Sequence, residues 1–127
     1  MQTVGVICEY NPFHLGHKKQ LDAIRAKFGP DTAIVCLMSG NFVQRGAPAI
    51  LDKSLRAKAA ILSGADLVLE LPLTAAVSSA EGFAYSGVRI LSGFCDILSF
   101  GAEDPDCEKL MQAAQALLSE EFSAKIK

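Results

Sequence analysis

The chain has 127 residues, half of them apolar and a fifth charged, with a formal net charge of −2. That length gives one domain with a real core, and that composition excludes a disordered chain. The slightly acidic balance excludes the cationic field of a dedicated nucleic-acid or acidic-membrane binder, and charged residues interrupt every apolar run short of the roughly 20 residues of a membrane span.

In chain order, "MQTVGVICEY" carries no charged n-region of a signal peptide and enters a strand-like run, "TVGVIC" (3–8). "LGHKKQLDAIRAKFG" (15–29) has helical spacing, with Leu21, Ile24 and Phe28 on one face and Gly29-Pro30 as the stop. "TAIVCLM" (32–38) is a second strand. Asp52 is placed to cap a helix running to about Ser63, with Leu55, Ala59 and Leu62 at helical spacing and Gly64 past its end. "ADLVLELP" (65–72) is a third strand closed by Pro72. Ser78 or Ser79 opens a helix to about Leu91, with Glu81 in its first turn. "CDILSF" (95–100) is a fourth strand. Asp106, after Pro105, opens a last helix in which Leu110, Ala114, Leu117 and Leu118 share a face.

Strands apolar on nearly every residue, alternating with helices, imply a parallel sheet covered on both faces: an α/β doubly wound parallel sheet in a single domain, residues 1–127. The four cysteines, at 8, 36, 95 and 107, form no CxxC pair, and three lie in or beside apolar runs. They read as reduced thiols, which points to a cytoplasmic protein.

Ligands of such sheets bind beyond the carboxyl ends of the strands. The richest such place is "EYNPFHLGHKKQL", which holds both histidines of the chain, His14 and His17, one before and one inside the first turn of a helix. A helix start offers unpaired N–H groups and the positive end of the macrodipole, and Gly16 admits a close ligand. Two imidazoles there can donate to one phosphoryl group as charge develops on it. The dipole also favours the neutral ring. A metal cluster of these histidines with Cys8 or Glu9 has no fixed geometry, so no metal ligand is assigned. A P-loop, a GxGxxG and a GxSxG are all absent, and a Ser-His-Asp triad has little support.

"HLGH" after the first strand resembles the HIGH-type signature of the nucleotidyltransferase superfamily. The longer stretches "GVICEYNPFHLGHKKQL", "MSGNFVQRGAPAILDKSLRAKAAILSGADLVLELP" and "SFGAE" resemble the tRNA(Met) cytidine acetate ligase family through most of residues 3–104. The resemblance implies a Rossmann-like, HIGH-type domain that activates acetate with ATP, forming acetyl-adenylate, for transfer to N4 of the wobble cytidine of elongator tRNA(Met). Phosphoryl chemistry with ATP carries the usual expectation of Mg2+, which neutralises developing charge.

Carried over by position, the ATP stretch comprises Ile7, Cys8, Glu9, Tyr10, Asn11, Pro12, Phe13, His14, Leu15, Gly16, His17, Lys18, Lys19 and Gln20, with a further contact at Gly101. His14 and His17 would be the catalytic pair at the α-phosphate, and Lys18 or Lys19 would help with the polyphosphate. Ser39, Gly40, Asn41, Gln44 and Arg45 form a candidate substrate loop, in which Arg45 would meet a phosphate or the acetate carboxylate. Asp52 and Lys53 divide evenly between helix capping and function; Glu70 leans toward pairing with a basic neighbour. Lys18, Lys19, Arg25 and Lys27 make a basic strip that reads as a solvated face.

Members of that family are much longer, and two arginines completing the ATP site and much of the tRNA surface are expected in the remainder. The oligomeric state is not set by the sequence, though an apolar face left open there would favour self-association. A metabolic adenylyl- or cytidylyltransferase and a non-catalytic nucleotide-binding module remain as alternatives.

Overall fold

Alternation along each strand decides where the helices lie. The computed structural model describes residues 1–126. β1 (Thr3–Cys8) sends Val4, Val6 and Cys8 to one face and Gly5 and Ile7 to the other; β2 (Ala33–Ser39) likewise divides Ile34, Cys36 and Met38 from Val35 and Leu37. On the first face lie α1 (Leu15–Phe28) and α2 (Lys53–Leu62), through Leu21, Ile24 and Ala60. On the second lie α3 (Leu73–Ala76) and α4 (Ala80–Leu91), through Ala75, Ala76 and Leu91. Fully burying a side chain such as Leu21 or Ile24 contributes about 1.5–3 kcal/mol. The sheet is therefore doubly wound.

With β3 (Leu67–Leu71) and β4 (Ile97–Leu98), the strand order is β3-β2-β1-β4, and every pairing is parallel. The order reverses at β1, so the cleft above the ends of β1 and β4 is where a ligand of this architecture binds. Asp66 and Asp96 start the flanking strands by the same device. Asp66 accepts from Ile34 N–H (2.7 Å) and donates its own N–H to Ile34 O (2.9 Å); Asp96 does so with Thr3 (2.8 and 2.9 Å).

Several expectations need correcting. The fourth strand pairs over two residues rather than 95–100, because Cys95 N–H still donates to Leu91 O at the end of α4. Ser99 N–H continues the ladder to Gly5 O at 2.9 Å. The face of α2 is not Leu55, Ala59 and Leu62: Leu55 and Leu62 are 58% and 78% exposed, while Arg56 and Ala60 are buried. Small Ala57 and Ala60 let the helix sit close to the sheet, and Arg56 fills the space they leave. The last helical stretch is two helices, α5 (Cys107–Leu117) and α6 (Glu120–Ile126), with Ser119 Oγ accepting from Phe122 N–H. The proposed face of α5 is not buried: Leu117 and Leu118 are exposed and Leu110 is only half-buried. All four cysteines are free, with Cys36 buried and Cys107 exposed.

α4 approaches β1 through Gly87. A Cβ built there would lie 2.6 Å from Ile7 Cδ1 and 2.9 Å from its Cγ1, well inside contact distance. Gly87→Val should therefore destabilise the fold by about 1–3 kcal/mol through overpacking, despite the poor helix propensity of the glycine it replaces. Urea unfolding measures this, and an unchanged midpoint would show that Ile7 can move aside.

Candidate nucleotide site

The chain leaves β1 at Glu9 and reaches α1 by a sharp turn. Tyr10 takes a positive φ of 47°, and the Asn11-Pro12 peptide is cis. Tyr10 is thereby folded back into the core, 2% exposed, with its hydroxyl 3.4 Å from Cys36 Sγ. Its ring meets Phe13 edge-on at 4.8 Å and His17 at 4.8 Å, and His17 stacks on His14 at 3.6 Å between centroids.

The two histidines form the N-cap of α1. His14 Nδ1 accepts from Gly16 N–H at 3.0 Å, and His17 Nδ1 accepts from His14 N–H at 3.2 Å, a reciprocal capping box built from imidazoles. A ring nitrogen that accepts carries no proton, so each neutral ring holds its hydrogen on Nε2. Neither Nε2 has a hydrogen-bond partner among the described residues. The cap thus fixes the tautomer that leaves two N–H donors, on stacked rings, for an incoming oxygen. Burial pushes the His17 pKa below its ordinary value, and the neighbouring His14 adds to the shift.

Not every residue of the ATP stretch offers a side chain. Ile7 packs on α4, Cys8 Sγ faces Leu37 O at 3.7 Å with its pKa raised by burial, and Tyr10 is in the core. Tyr10 can meet a ligand only through backbone, while Ile7 and Cys8 are half-buried. Asn11 Oδ1 accepts from Ile50 N–H (2.7 Å), Pro12 and Leu15 are exposed, and Phe13 backs His17. A Cβ on Gly16 would press on the His14 ring at 2.9 Å, so the cap needs glycine there. Lys18 is paired with Asp22 (2.8 Å), Lys19 is exposed, and Gln20 Nε2 reaches Ser99 Oγ (3.3 Å), tying α1 to the end of β4. Gly101 follows in open surroundings.

The candidate substrate loop comes beside this site, held by Glu9. That carboxylate accepts from Ser39 Oγ (3.0 Å) and from Gln44 N–H (2.8 Å). The loop folds on itself through Val43 N–H to Ala47 O and Ala49 N–H to Asn41 O, with Arg45 at its tip in a left-handed conformation (φ 67°) and exposed. Ser39 is buried, Gly40 lies under the Glu70 carboxylate, and Asn41 Oδ1 caps Lys53 N–H (2.8 Å). Of the five, only Gln44 and Arg45 offer side chains that the fold does not consume. Asp52 caps α2 through Ser54 N–H, and Lys53, read as a solvated lysine or a functional one, pairs instead with Glu70 at 2.7 Å, the basic neighbour expected there. Arg25 is a latch, bonded to Asp66, Pro30 O, Thr32 O and Gly64 O, which removes it from any basic strip.

One residue of consequence escaped sequence reasoning. Arg56 is 1% exposed and has no carboxylate partner among the described residues. Its Nε donates to Leu51 O (3.0 Å), Nη1 to Glu9 O (2.6 Å) and Ser39 O (3.1 Å), and Nη2 to Gly40 O. Its only signal in the sequence was an arginine sharing a helix face with alanines.

Doubly wound sheets bind nucleotides beyond the strand ends at the switch point, and the imidazole-capped start of α1 lies there. The chain belongs to the HIGH Nucleotidyl Transferase family, whose model matches residues 1–127. It is 50% identical to the tRNA(Met) cytidine acetate ligase of Acetivibrio thermocellus, over 98% of this chain and 30% of that protein, and 47% identical to that of Ligilactobacillus salivarius, over 98% and 33%. The crystal structure of Thermotoga maritima TmcAL bound with alpha-thio ATP superposes with a TM-score of 0.85 at 44% identity, covering 92% of this chain and 28% of that one. The chain spans about a third of the length of the curated relatives it matches.

Because both caps require unprotonated Nδ1 atoms and His17 binds its proton less readily in the fold than its ordinary 6.5, the unfolded chain holds more protons in this range. The stabilisation from His17 is complete above about pH 6.5 and is lost as pH falls through the lowered folded value. Urea midpoints measured between pH 7.5 and 5.5 should fall, and fall less in His17→Gln; equal slopes in the two proteins would refute this cap.

Proposed function

We propose that this chain is the ATP-binding, acetate-activating domain of a tRNA(Met) cytidine acetate ligase. One observation carries the reading: two stacked imidazoles, each fixed with its proton on a free Nε2, at the start of α1 beside the β1–β4 switch point. The names of the relatives and the alpha-thio ATP held by the Thermotoga protein support the choice of nucleotide and reaction.

In this reading an acetate oxygen attacks the α-phosphorus, the Pα–O bond to the β-phosphate breaks, and pyrophosphate leaves with the electron pair. Charge builds on the non-bridging oxygens, where His14 and His17 donate from Nε2 without changing protonation state. Arg45, exposed at the tip of the loop that Glu9 holds, is the residue we assign to an anion, either acetate or phosphate. The wobble cytidine N4 then attacks the acetyl carbonyl, the bond to AMP breaks, and N4 gives up a proton. A magnesium ion would arrive with the ATP phosphates, whose charge it neutralises. Four free thiols support a cytoplasmic setting.

The test is acetate-dependent exchange of labelled pyrophosphate into ATP by the intact protein that carries this domain. His14→Ala and His17→Ala should each slow it by about 10²–10³, the usual loss when a donor to developing charge is removed. Exchange that appears only when a phosphorylated small-molecule acceptor replaces acetate would favour a metabolic nucleotidyltransferase, and no exchange with either acceptor would favour a binding module.

A further inference from the structure

A buried guanidinium is costly to desolvate, and where one is kept without a carboxylate its hydrogen bonds state its purpose. Arg56 spends its donors on backbone carbonyls at one level of the molecule: Glu9 just past the end of β1, Ser39 and Gly40 at the end of β2, and Leu51 in the segment leading into α2. At the carboxyl ends of parallel strands these carbonyls lack the next rung of the ladder, and a fork of N–H groups supplies it.

One of those contacts sets the plane of the Glu9–Tyr10 peptide, since Nη1 lies 2.6 Å from Glu9 O. The peptide is followed by the positive φ of Tyr10, which turns that ring inward against Phe13 and His17; His17 in turn stacks on His14. A continuous chain of contacts therefore runs from the guanidinium to both imidazoles. Glu9 is gripped at both ends, its carbonyl by Arg56 and its carboxylate by Ser39 and Gln44, so the substrate loop is fixed from the same point.

We propose that Arg56 is the positioning residue of the nucleotide site, clasping the ends of the two central strands so that the turn after β1 delivers His14 and His17 to one phosphate with both Nε2–H groups outward. It touches no ligand and acts through Glu9 and Tyr10. The inference rests on the reading of the histidine pair as ATP donors, but its primary test does not.

The chain has only two histidines, so nitrogen-correlated NMR of the imidazoles reports on this site alone. Wild type should show both rings as the Nε2–H tautomer. Arg56→Lys, compared with Ala60→Gly on the same buried face one turn later, should show mixed tautomers, while Ala60→Gly keeps them pure although it lowers the melting temperature. Titration with ATP at a temperature where all three are folded should give at least a tenfold weaker affinity for Arg56→Lys and a change within twofold for Ala60→Gly. Pure Nε2–H tautomers in Arg56→Lys would overturn the proposal, as would loss of tautomer purity in both variants in step with their melting temperatures. If neither Arg56→Lys nor Arg56→Gln folds, the residue is structural and the proposal fails. Absence of ATP binding by wild type would instead sink the functional reading, with the tautomers still deciding Arg56.

Discussion

The structure turns on a carbonyl problem. Parallel strands that stop together leave backbone acceptors in a place that must stay dry beneath and open above. Arg56 answers it with one side chain, fully buried and bonded to carbonyls from three segments. At the opposite end of the sheet Arg25 does the comparable work around Asp66, Thr32 and Gly64, though partly in solvent and with a carboxylate to share its charge. Between these two clasps the strands are held in register at both ends, and the loops above inherit their positions.

The histidine pair illustrates how local structure and chemistry draw on the same atoms. One nitrogen of each ring completes the helix start, and that commitment decides which nitrogen faces outward with a proton. Much of the other polar material nearby is consumed by the fold: Asn11 and Asn41 cap backbone amides, Lys53 and Glu70 answer each other, and Lys18 leans on Asp22. What remains free is sparse, which makes the site selective in what it can grip.

The sheet, its winding and the position of the candidate loop after β1 were legible because they follow from periodicity: apolar runs alternating with helical spacing, and polar clusters after each strand. The capped helix starts at Asp52, Ser79 and Asp106 were legible for the same reason, since cap chemistry is local. What escaped depends on three-dimensional fit. Helical spacing favoured Leu55 and Leu62 for the buried face of α2, yet the sheet accepted small alanines and an arginine, because nearby carbonyls needed donors more than the core needed volume. Ser39 looked like a substrate contact and is a buried brace for Glu9. The face of α5 was readable as a stripe, but a stripe does not say that something covers it.

The sheet is unevenly sewn. β1 is laced to β2 along six residue pairs and to β4 along only two, and the light seam is the one over which the site opens. Beyond those pairs, Asp96 with Thr3, Ser99 N–H to Gly5 O and the side chains of Gln20 and Ser99 add a few stitches. A molecule lodged there would touch both sides of the least-fastened join and so act as a rivet: occupancy and the mechanical integrity of that edge would rise together.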